Sequence, residues 1–377
     1  MKLALIRQRY TAFGGAERFI ERALAALGEQ QDLSIDVLAR SWEGTPPRGS
    51  VIPCDPFFVG RTWRDWSFAR RAKRLVSVGG YDLVQSHERI DCCDIFRAGD
   101  GVHRQWLANR ARSISPLRAW LQQLAPWHRY TLAAERRLFR SPKLKAVICN
   151  SSMVAEEIKR HFGVDCRKIH VIYNGIDLEQ FRPQPGAGKA LRQSLGVPED
   201  GLLFLFVGSG FERKGVPVLL EAFAKASVQQ KRPCSLAIVG SDRRSNAWQA
   251  RAQQLGISGL VHFPGAQSDV RRWYAAADCF VLPTIYDPFP NAVMEALACG
   301  LPVMTSRQCG AAELLVEGKT GWSRDAFDTD AFAQIMASVD PVTCLSMGQE
   351  ARKLAEQFPL SEMAARMTML YRQILAT

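Results

Sequence analysis

The stretch LLFLFVGSGFERKGVPVLLEAFAKAS, residues 202–227, changes its hydrophobic pattern at the centre. Its first part is an apolar run that ends at glycine, which is typical of a buried strand. Its last part carries apolar side chains at helical spacing. A strand, a short glycine-rich loop and a helix in this order belong to a parallel βαβ arrangement. The stretch therefore predicts an α/β domain built on a parallel sheet.

The same alternation continues through the second half of the chain. Further apolar runs are CSLAIVGS, VHFPG, CFVLPT and PVMTS, and the helical segments between them are SNAWQARAQQLG, VRRWYAAA and NAVMEALACG. Strands that alternate with helices predict a doubly wound domain with helices on both faces of the sheet. We assign this domain to residues 186–359.

The first half has the same rhythm, with the strand-like runs LALI, IDVLA, YDLVQS and KAVICN and the helical segment ERFIERALAALGEQ at residues 17–30. Asn174-Gly175 and a Pro/Gly-rich stretch at 183–188 interrupt it, so we place a domain boundary near residue 185. Residues 1–185 then form a first Rossmann-like domain. Residues 360–377 have helical spacing, and their stripe of Met363, Met367 and Leu370 predicts a helix that packs back toward the first domain.

Composition agrees with two folded domains. The chain has 377 residues, 47% of them hydrophobic and 23% charged, and a formal net charge of +12. That charge indicates an anionic partner such as a phosphorylated substrate, an acidic membrane surface or nucleic acid. The ten cysteines favour reduced, buried thiols, because Cys149, Cys234 and Cys279 lie in apolar runs. Without a signal-like or membrane-spanning segment, a cytoplasmic location is expected.

Loops that follow strands are the expected ligand sites in such folds. Arg213 and Lys214 follow one strand and precede a helix, so their charges and the free helix N–H groups form a candidate diphosphate cradle. The alternative is a solvated basic loop. Gly14 and Gly15, in FGGAER, precede another helix, where a ligand can approach the backbone closely; a simple turn explains the pair equally well.

Two acids frame the loop YDPFPNAVMEALACGLPV at residues 286–303. Asp287 would lie just outside the helix, Asn291 near its N-cap and Glu295 about one turn further in. A carboxylate accepts paired hydrogen bonds from vicinal hydroxyls, so one acid could hold a transferred sugar and the other a ribose. A capping acid with a surface glutamate is the alternative.

The segment 104–145 combines ten basic residues and three tryptophans with one acid, Glu135. This composition favours helices on an anionic membrane, with tryptophans at the headgroups and arginines on phosphates. A phosphorylated acceptor, a single-stranded nucleic acid and a solvated basic helix are alternatives. The predicted membrane-facing residues are Arg104, Trp106, Arg110, Arg112, Arg118, Trp120 and Trp127. The cluster RTWRDWSFARRAKR at residues 61–74 supports the membrane interpretation.

Taken together, these motifs resemble the family 4 retaining glycosyltransferases of GT-B fold over nearly the full chain. The resemblance rests on FVGSGFERKG, VHFPGAQSDVRRWYAAADCFVLPT, the Asp287 and Glu295 pair, ALACGLPV and the hinge-like VIYNGIDLEQFRP. The chain departs from the family pattern in Asp287, where glutamate is common, and in Pro290, where glycine is common. FGGAERF and SWEG are most similar to the lipopolysaccharide core (heptosyl) alpha-1,3-glucosyltransferases.

The resemblance implies two facing Rossmann-like domains and retaining transfer of a hexose from a UDP-sugar to a lipopolysaccharide core or other cell-envelope glycan. It places Asp100 at the reaction centre and His103 near the donor sugar. The donor-binding residues that it implies are Gly14, Gly15, Gly208, Arg213, Lys214, Asp287, Asn291 and Glu295. His87 is a further strand-end candidate, for which structural packing is an equal alternative.

The implied enzyme is a monomer peripheral to the inner face of the cytoplasmic membrane, with a lipid-linked or phosphorylated acceptor and no nucleic acid partner. No cofactor or metal is predicted, because the D-x-D at Asp328 and Asp330 is better explained as a helix cap. The competing hypotheses are a nucleotide-sugar epimerase or phosphorylase of the same fold and a non-catalytic membrane- or nucleic-acid-binding protein.

Overall fold

The computed structural model describes residues 2–10, 34–42 and 50–376, and it divides the chain into two compact units. The first unit comprises Met1–Gly175 and Leu360–Thr377, and the second comprises Ile176–Pro359. The predicted helix at residues 17–30 lies outside the described residues, as do Gly14 and Gly15.

The first unit is built on a parallel sheet. Its strands are β1 (Lys2–Ile6), β3 (Ser34–Ala39), β5 (Ser50–Pro53), β6 (Leu83–Ser86), β7 (Ile95–Arg97), β8 (Ala146–Cys149) and β9 (Ile169–Val171), and the short strands β2 (Arg9–Tyr10) and β4 (Ser41–Trp42) pair separately. Its described helices are α1 (Gly60–Val78), α2 (His103–Ala111), α3 (Pro116–Leu124), α4 (Pro126–Phe139), α5 (Ser152–Phe162) and, after the second unit, a terminal helix (Leu360–Leu375). The strand order is β5-β3-β1-β6-β7-β8-β9. The chain builds the sheet outward from β1 to β5 and then returns to place β6 on the other side of β1, so the switch point lies between β1 and β6.

Hydrophobic cores cover the faces of this sheet. Leu3, Leu5 and Ile148 belong to one cluster, and Ala4, Ile6 and Val147 belong to another, as the alternation of side chains along a strand requires. The helix Leu360–Leu375 contributes Met363, Met367, Leu370, Tyr371 and Ile374 to the first cluster. The predicted return of the C-terminal helix to the first unit is therefore confirmed.

The second unit contains another parallel sheet, with the order β12-β11-β10-β13-β14-β15. The strands are β10 (Leu202–Val207), β11 (Cys234–Val239), β12 (Val261–Gly265), β13 (Cys279–Leu282), β14 (Val303–Ser306) and β15 (Gly321–Arg324). The helices are α6 (Lys189–Ser194), α7 (Val216–Gln229), α8 (Ser245–Gln254), α9 (Arg271–Ala276), α10 (Asn291–Ala298), α11 (Thr329–Ser338) and α12 (Pro341–Ala355). In chain order this is the 3-2-1-4-5-6 arrangement of Rossmann-like domains, with its switch point between β10 and β13.

The unit boundary lies at Gly175–Ile176, earlier than the predicted position near residue 185. The Pro/Gly-rich stretch belongs to the second unit because the preceding segment packs there. Phe181 is fully buried, and the Arg352 guanidinium donates to the carbonyl oxygens of Phe181 and Ala298, both at 2.9 Å. The backbone N–H of Ile176 also donates to the Phe358 carbonyl at 2.9 Å.

Candidate active site

The carboxyl ends of β10 and β13 lie side by side, and the loops that follow them meet at the switch point of the second sheet. The Arg213 carbonyl in the first loop accepts hydrogen bonds from the Ile285 N–H at 3.0 Å and the Thr284 hydroxyl at 3.1 Å. Two loops separated by about 70 residues in sequence are thereby locked together. This is the position at which open α/β sheets bind ligands.

The backbone at this crossing requires glycine. Gly215 has φ +82°, and a Cβ atom there would lie 1.8 Å from the Pro283 carbonyl oxygen. The Gly208 carbonyl oxygen would lie equally close to a Cβ on Gly240. The candidate residue Gly208 is therefore held where neighbouring backbones approach closely, and its N–H donates to the Val239 carbonyl at 2.9 Å.

Asp287, Lys214 and Arg213 form a charged cluster at the end of these loops. Lys214 Nζ contacts Asp287 Oδ2 directly, and an Arg213 terminal nitrogen lies 3.9 Å from the same oxygen. Asp287 is buried, the Lys214 side chain is 12% exposed and the Arg213 side chain is 44% exposed. The alternative of a solvated basic loop does not describe Lys214. In this structure, Asp287 orients Lys214, and the more exposed Arg213 lies at the edge of the cluster.

Helix α10 carries the other two candidates. Pro290 is the N-cap, so Asn291 is the first helical residue, and no side chain caps the helix. Glu295 is buried, and its carboxylate accepts a hydrogen bond from the buried Tyr274 hydroxyl at 3.0 Å. The alternative of a surface glutamate is therefore wrong. A buried carboxylate held in this way is already oriented by the protein.

Asp100 lies in the first unit, in the loop after β7. Its side chain is half exposed, and one Arg7 terminal nitrogen lies 3.3 Å from Oδ2. Arg7 follows β1, so the arginine joins two loops at the carboxyl edge of this sheet. The arrangement leaves a carboxylate accessible at the edge where ligands are expected.

His103 begins α2, and its ring is buried rather than open to solvent. Nε2 lies 3.0 Å from Nδ1 of His128, and the ring stacks on Trp106 with centroids 5.4 Å apart. Burial, reinforced by the positive charge of Arg89, lowers the pKa of His103 to about 3. The imidazole is therefore neutral near pH 7. The resemblance places His103 near the donor sugar, but in this structure its ring is in contact with His128 and Trp106.

His87, the other candidate histidine, is also buried, and its Nε2 lies 3.0 Å from the Gln85 amide nitrogen. Burial lowers the pKa of His87 well below its ordinary value. These contacts agree with the alternative in which His87 has a structural packing role.

Glu135 organises this region, although sequence analysis identified it just as the single acid of a basic segment. Its carboxylate accepts hydrogen bonds from the Arg89 side chain at 2.9 Å and from the His103 N–H at 2.6 Å. The Arg104 N–H is a weaker donor at 3.4 Å. Glu135 is almost completely buried. Its carboxylate both caps the start of α2 and pairs with Arg89. The separation of these partners along the chain gives no local signal.

The predicted membrane-facing residues fall into two groups. Trp106 and Trp127 are half-buried, because Trp106 stacks on His103 and the Trp127 indole N–H donates to Asp65 at 2.7 Å. Arg110 lies over Trp106, so it belongs with this cluster. The exposed members are Arg104, Arg112, Arg118 and Trp120. The prediction of an exposed surface is therefore wrong for Trp106 and Trp127.

Helix α3 is exposed at most of its positions, and Ala119 and Gln122 are half-buried. It buries no residue. Leu117, Trp120, Leu121 and Leu124 follow the i, i+3, i+4, i+7 pattern and form one apolar stripe, with exposures of 66, 57, 52 and 47%. None of the described helices is both long and apolar enough to cross a membrane.

The D-x-D motif and the cysteines are structural in the described residues. Asp328 accepts a hydrogen bond from the Ala331 N–H at 3.0 Å, and Asp330 pairs with Lys225 at 2.6 Å, so the predicted helix cap is confirmed. All ten cysteines are free, and Cys149, Cys234 and Cys279 are buried. Across the described ranges, acids, histidines and cysteines form no metal-binding cluster of three or more.

Comparison with known proteins identifies the class. Residues 13–180 match the model of Glycosyltransferase Family 4, and residues 188–354 match that of Glycosyl transferases group 1. The lipopolysaccharide glucosyltransferase WaaG of Escherichia coli is 25% identical over 85% of this chain and 84% of its own. A D-inositol 3-phosphate glycosyltransferase of Streptomyces scabiei is 30% identical over 78% of this chain and 68% of its own.

Solved structures show the same fold. A crystal structure of WaaG superimposes with a TM-score of 0.83 and 23% identity, covering 97% of this chain and 98% of its own. HepE of Anabaena, in complex with UDP-glucose, superimposes with a TM-score of 0.73 and 20% identity over 99% of this chain and 100% of its own.

The two Rossmann-like units and the cationic loop at a switch point thus define a glycosyltransferase of GT-B fold. More particularly, the chain belongs to glycosyltransferase family 4.

Proposed function

We propose that this enzyme transfers a hexose, with retention, from a UDP-sugar to a lipopolysaccharide core or other cell-envelope glycan. The observation that carries the proposal is the cluster of Arg213, Lys214 and Asp287 at the β10–β13 switch point. Support for UDP and glucose comes from the names of relatives: WaaG is a glucosyltransferase, and HepE is described in complex with UDP-glucose.

In the proposed reaction, the bond between the anomeric carbon and the diphosphate oxygen breaks as the acceptor oxygen bonds to the same face of that carbon. The acceptor proton passes to the departing diphosphate. Negative charge therefore grows on the diphosphate, and Arg213 and Lys214 stabilise it where it develops. Asp287 keeps Lys214 at a fixed position, so little reorganisation is required during the reaction.

The remaining candidates bind and orient the substrates in this proposal. Glu295, held by Tyr274, accepts ribose hydroxyls, while Asn291 and the first N–H groups of α10 meet the donor. Asp100 orients the acceptor or stabilises positive charge on the sugar. The two cations and the helix ends neutralise the diphosphate, so transfer proceeds without a metal ion.

We also propose that the enzyme binds the inner face of the cytoplasmic membrane through α3. The apolar stripe at Leu117, Trp120, Leu121 and Leu124 is an exposed amphipathic face. The only acid of the segment 104–145, Glu135, is buried, so the segment presents basic side chains such as Arg112 and Arg118 to solvent. Those charges suit anionic lipid headgroups.

The first experiment is thermal stabilisation of the purified protein by UDP, GDP, ADP and their sugar conjugates, each with and without EDTA. A ligand that binds the folded state raises the melting temperature by mass action. We expect a shift specific to UDP and one UDP-sugar, unchanged by EDTA. A protein that no nucleotide stabilises, but that binds anionic vesicles or oligonucleotides tightly, would instead support the non-catalytic alternative.

A further inference from the structure

A pocket of about 250 Å³ lies wholly within the first unit, at the switch point of its sheet. Arg7, Gln8 and Arg9 follow β1, and Glu88 and Arg89 follow β6. These are the neighbouring strands at which the sheet order reverses, and all five residues line the pocket. The position is the ligand-binding edge of an open α/β sheet.

Three acids line this pocket, and two of them, Asp65 and Glu88, are held by several protein donors. The third, Asp100, pairs with Arg7 and stays half exposed. Asp65, in α1, accepts from the Gln8 amide at 3.2 Å, the Arg64 Nε at 2.9 Å and the Trp127 indole at 2.7 Å. Glu88 accepts from the Gln8 N–H at 2.9 Å and lies 3.7 Å from Arg7. These carboxylates fix the walls of the pocket.

Several hydrogen-bond donors of the pocket, in contrast, have no acceptor within the described chain. Arg64 uses its Nε on Asp65, and its two terminal nitrogens make no hydrogen bond within the described chain. Arg89 uses Nε on Glu135 and one terminal nitrogen on the Gly101 carbonyl, which leaves the other terminal nitrogen. The Tyr130 hydroxyl, from α4, makes no hydrogen bond to the described residues. Unused N–H and O–H donors on a cationic wall match an oxyanion.

We propose that this pocket binds an anionic substituent, a phosphate or a carboxylate, on a sugar of the acceptor, with Arg64, Arg89 and Tyr130 as its donors. The inference rests on the proposed transferase function. The pocket is smaller than the roughly 300–1,000 Å³ of common ligand pockets, so it fits one sugar unit and not an oligosaccharide. The planar fork of Arg64 can meet two oxygens of such a group at once.

The test is calorimetric titration of the full-length protein with glucose 6-phosphate, glucuronate and methyl glucoside, in the presence of saturating UDP to occupy the donor site. We expect one of the two anionic sugars to bind at least tenfold more tightly than the neutral sugar. The better anion identifies the substituent as phosphate or carboxylate. Equal affinity for all three sugars, or no binding of either anion, would overturn the proposal.

Variants assign the binding to Arg64. Arg64→Met should lower the affinity for the anionic sugar about tenfold or more, because a charge-assisted hydrogen bond is lost. Arg64→Lys should recover part of that affinity, since it keeps the charge without the fork. The matched control is Arg74→Met, which removes the same charge from an exposed position of the same helix and should leave the affinity unchanged. Equal effects of Arg64→Met and Arg74→Met would contradict a specific site.

Tyr130→Phe provides a second variant that should fold normally, because the hydroxyl makes no hydrogen bond to the described residues. It should lower the affinity for the anionic sugar several-fold and leave the affinity for methyl glucoside unchanged. The proposed function is tested separately by UDP binding and sugar transfer. An enzyme that binds UDP and transfers sugar, but whose anionic-sugar affinity is insensitive to Arg64 and Tyr130, would refute the pocket assignment alone.

Discussion

At the scale of single residues, the charged groups of the candidate site are held by partners distant in sequence. Lys214 and Asp287 are separated by 73 residues, and Glu295 and Tyr274 by 21. Each pair is mostly buried, so each charge or hydroxyl is oriented before a substrate arrives. Such preorganisation is the property that makes a cation effective against charge that develops during a reaction.

Replacing Lys214 tests this role. Lys214→Met removes the cation with little change in side-chain length, and we expect kcat to fall about 100-fold or more, because one preorganised electrostatic contact of this kind contributes that much. The measurement is steady-state sugar transfer or donor hydrolysis. Lys225→Met is the matched control, since Lys225 is half exposed and pairs with Asp330 at the surface of the same unit. Similar rates for both variants would contradict the assignment.

Gly215 offers a test of the loop crossing. In Gly215→Ala the new Cβ would collide with the Pro283 carbonyl oxygen, and the residue would also keep φ +82°. Gly256→Ala is the control, because Gly256 has φ +73° with no atom within 4 Å of the added Cβ. We expect the control to cost about 1 kcal/mol from backbone strain, and Gly215→Ala to cost at least about 2 kcal/mol more. Urea unfolding measures both, and equal losses would show that the crossing is loose.

At the scale of elements, the strands were predictable and several of their contacts were not. Strands of a parallel sheet are buried on both faces, so LLFLFV and CSLAIV read as continuous apolar runs. The Arg213–Lys214 loop and the Asp287 loop are both recognisable from sequence as loops after strands, but the sequence does not predict their direct contact. The roles of Glu135 and Asp65 were not predictable either, since their partners lie tens of residues away and no local pattern marks a buried acid as a cap.

The tryptophans show the same limit. Composition placed Trp106, Trp120 and Trp127 together on a membrane face, but the first and last pack against His103 and Asp65. Helical spacing identifies a stripe of residues, whereas the neighbour that covers the stripe depends on the tertiary fold. Helix α3 is the part of the segment that remains uncovered within the described chain.

Helix α3 therefore carries the membrane prediction. Leu121→Glu should reduce binding to anionic vesicles about tenfold or more, because burying one such side chain contributes about 1.5–3 kcal/mol. Stability should change little, since the helix has no buried residue. Val78→Glu is the control, as Val78 is 77% exposed at the end of α1. Vesicle co-sedimentation measures both, and equal binding by the two variants would argue against α3 as the contact.

At the scale of the whole molecule, the histidines link stability to pH. The chain has six, and burial is the first cause that lowers the pKa of each: His87, His103, His128, His161, His170 and His262. All except His262 belong to the first unit. A lowered pKa means that the folded state binds the proton less readily than the unfolded state. The stability that the neutral histidines give is therefore fully present above about pH 6.5, and the free energy of unfolding decreases as the pH falls below that value. Glu88 acts in the opposite direction, since burial raises its pKa.

His103 should contribute a measurable part of this loss, beside the fully buried His87, because burial lowers the pKa of His103 from 6.5 to about 3. Keeping the ring neutral at pH 5 costs the folded state about 2 kcal/mol relative to neutral pH. We expect the free energy of unfolding, measured in urea from pH 7.5 to 5, to decrease in the wild-type protein and to decrease less in His103→Gln. His262→Gln, in the second unit, should keep most of the wild-type slope. If His103→Gln kept the full slope, the proton uptake would belong to other groups, and the buried His103–His128 contact would not be the acid-sensitive part of the fold.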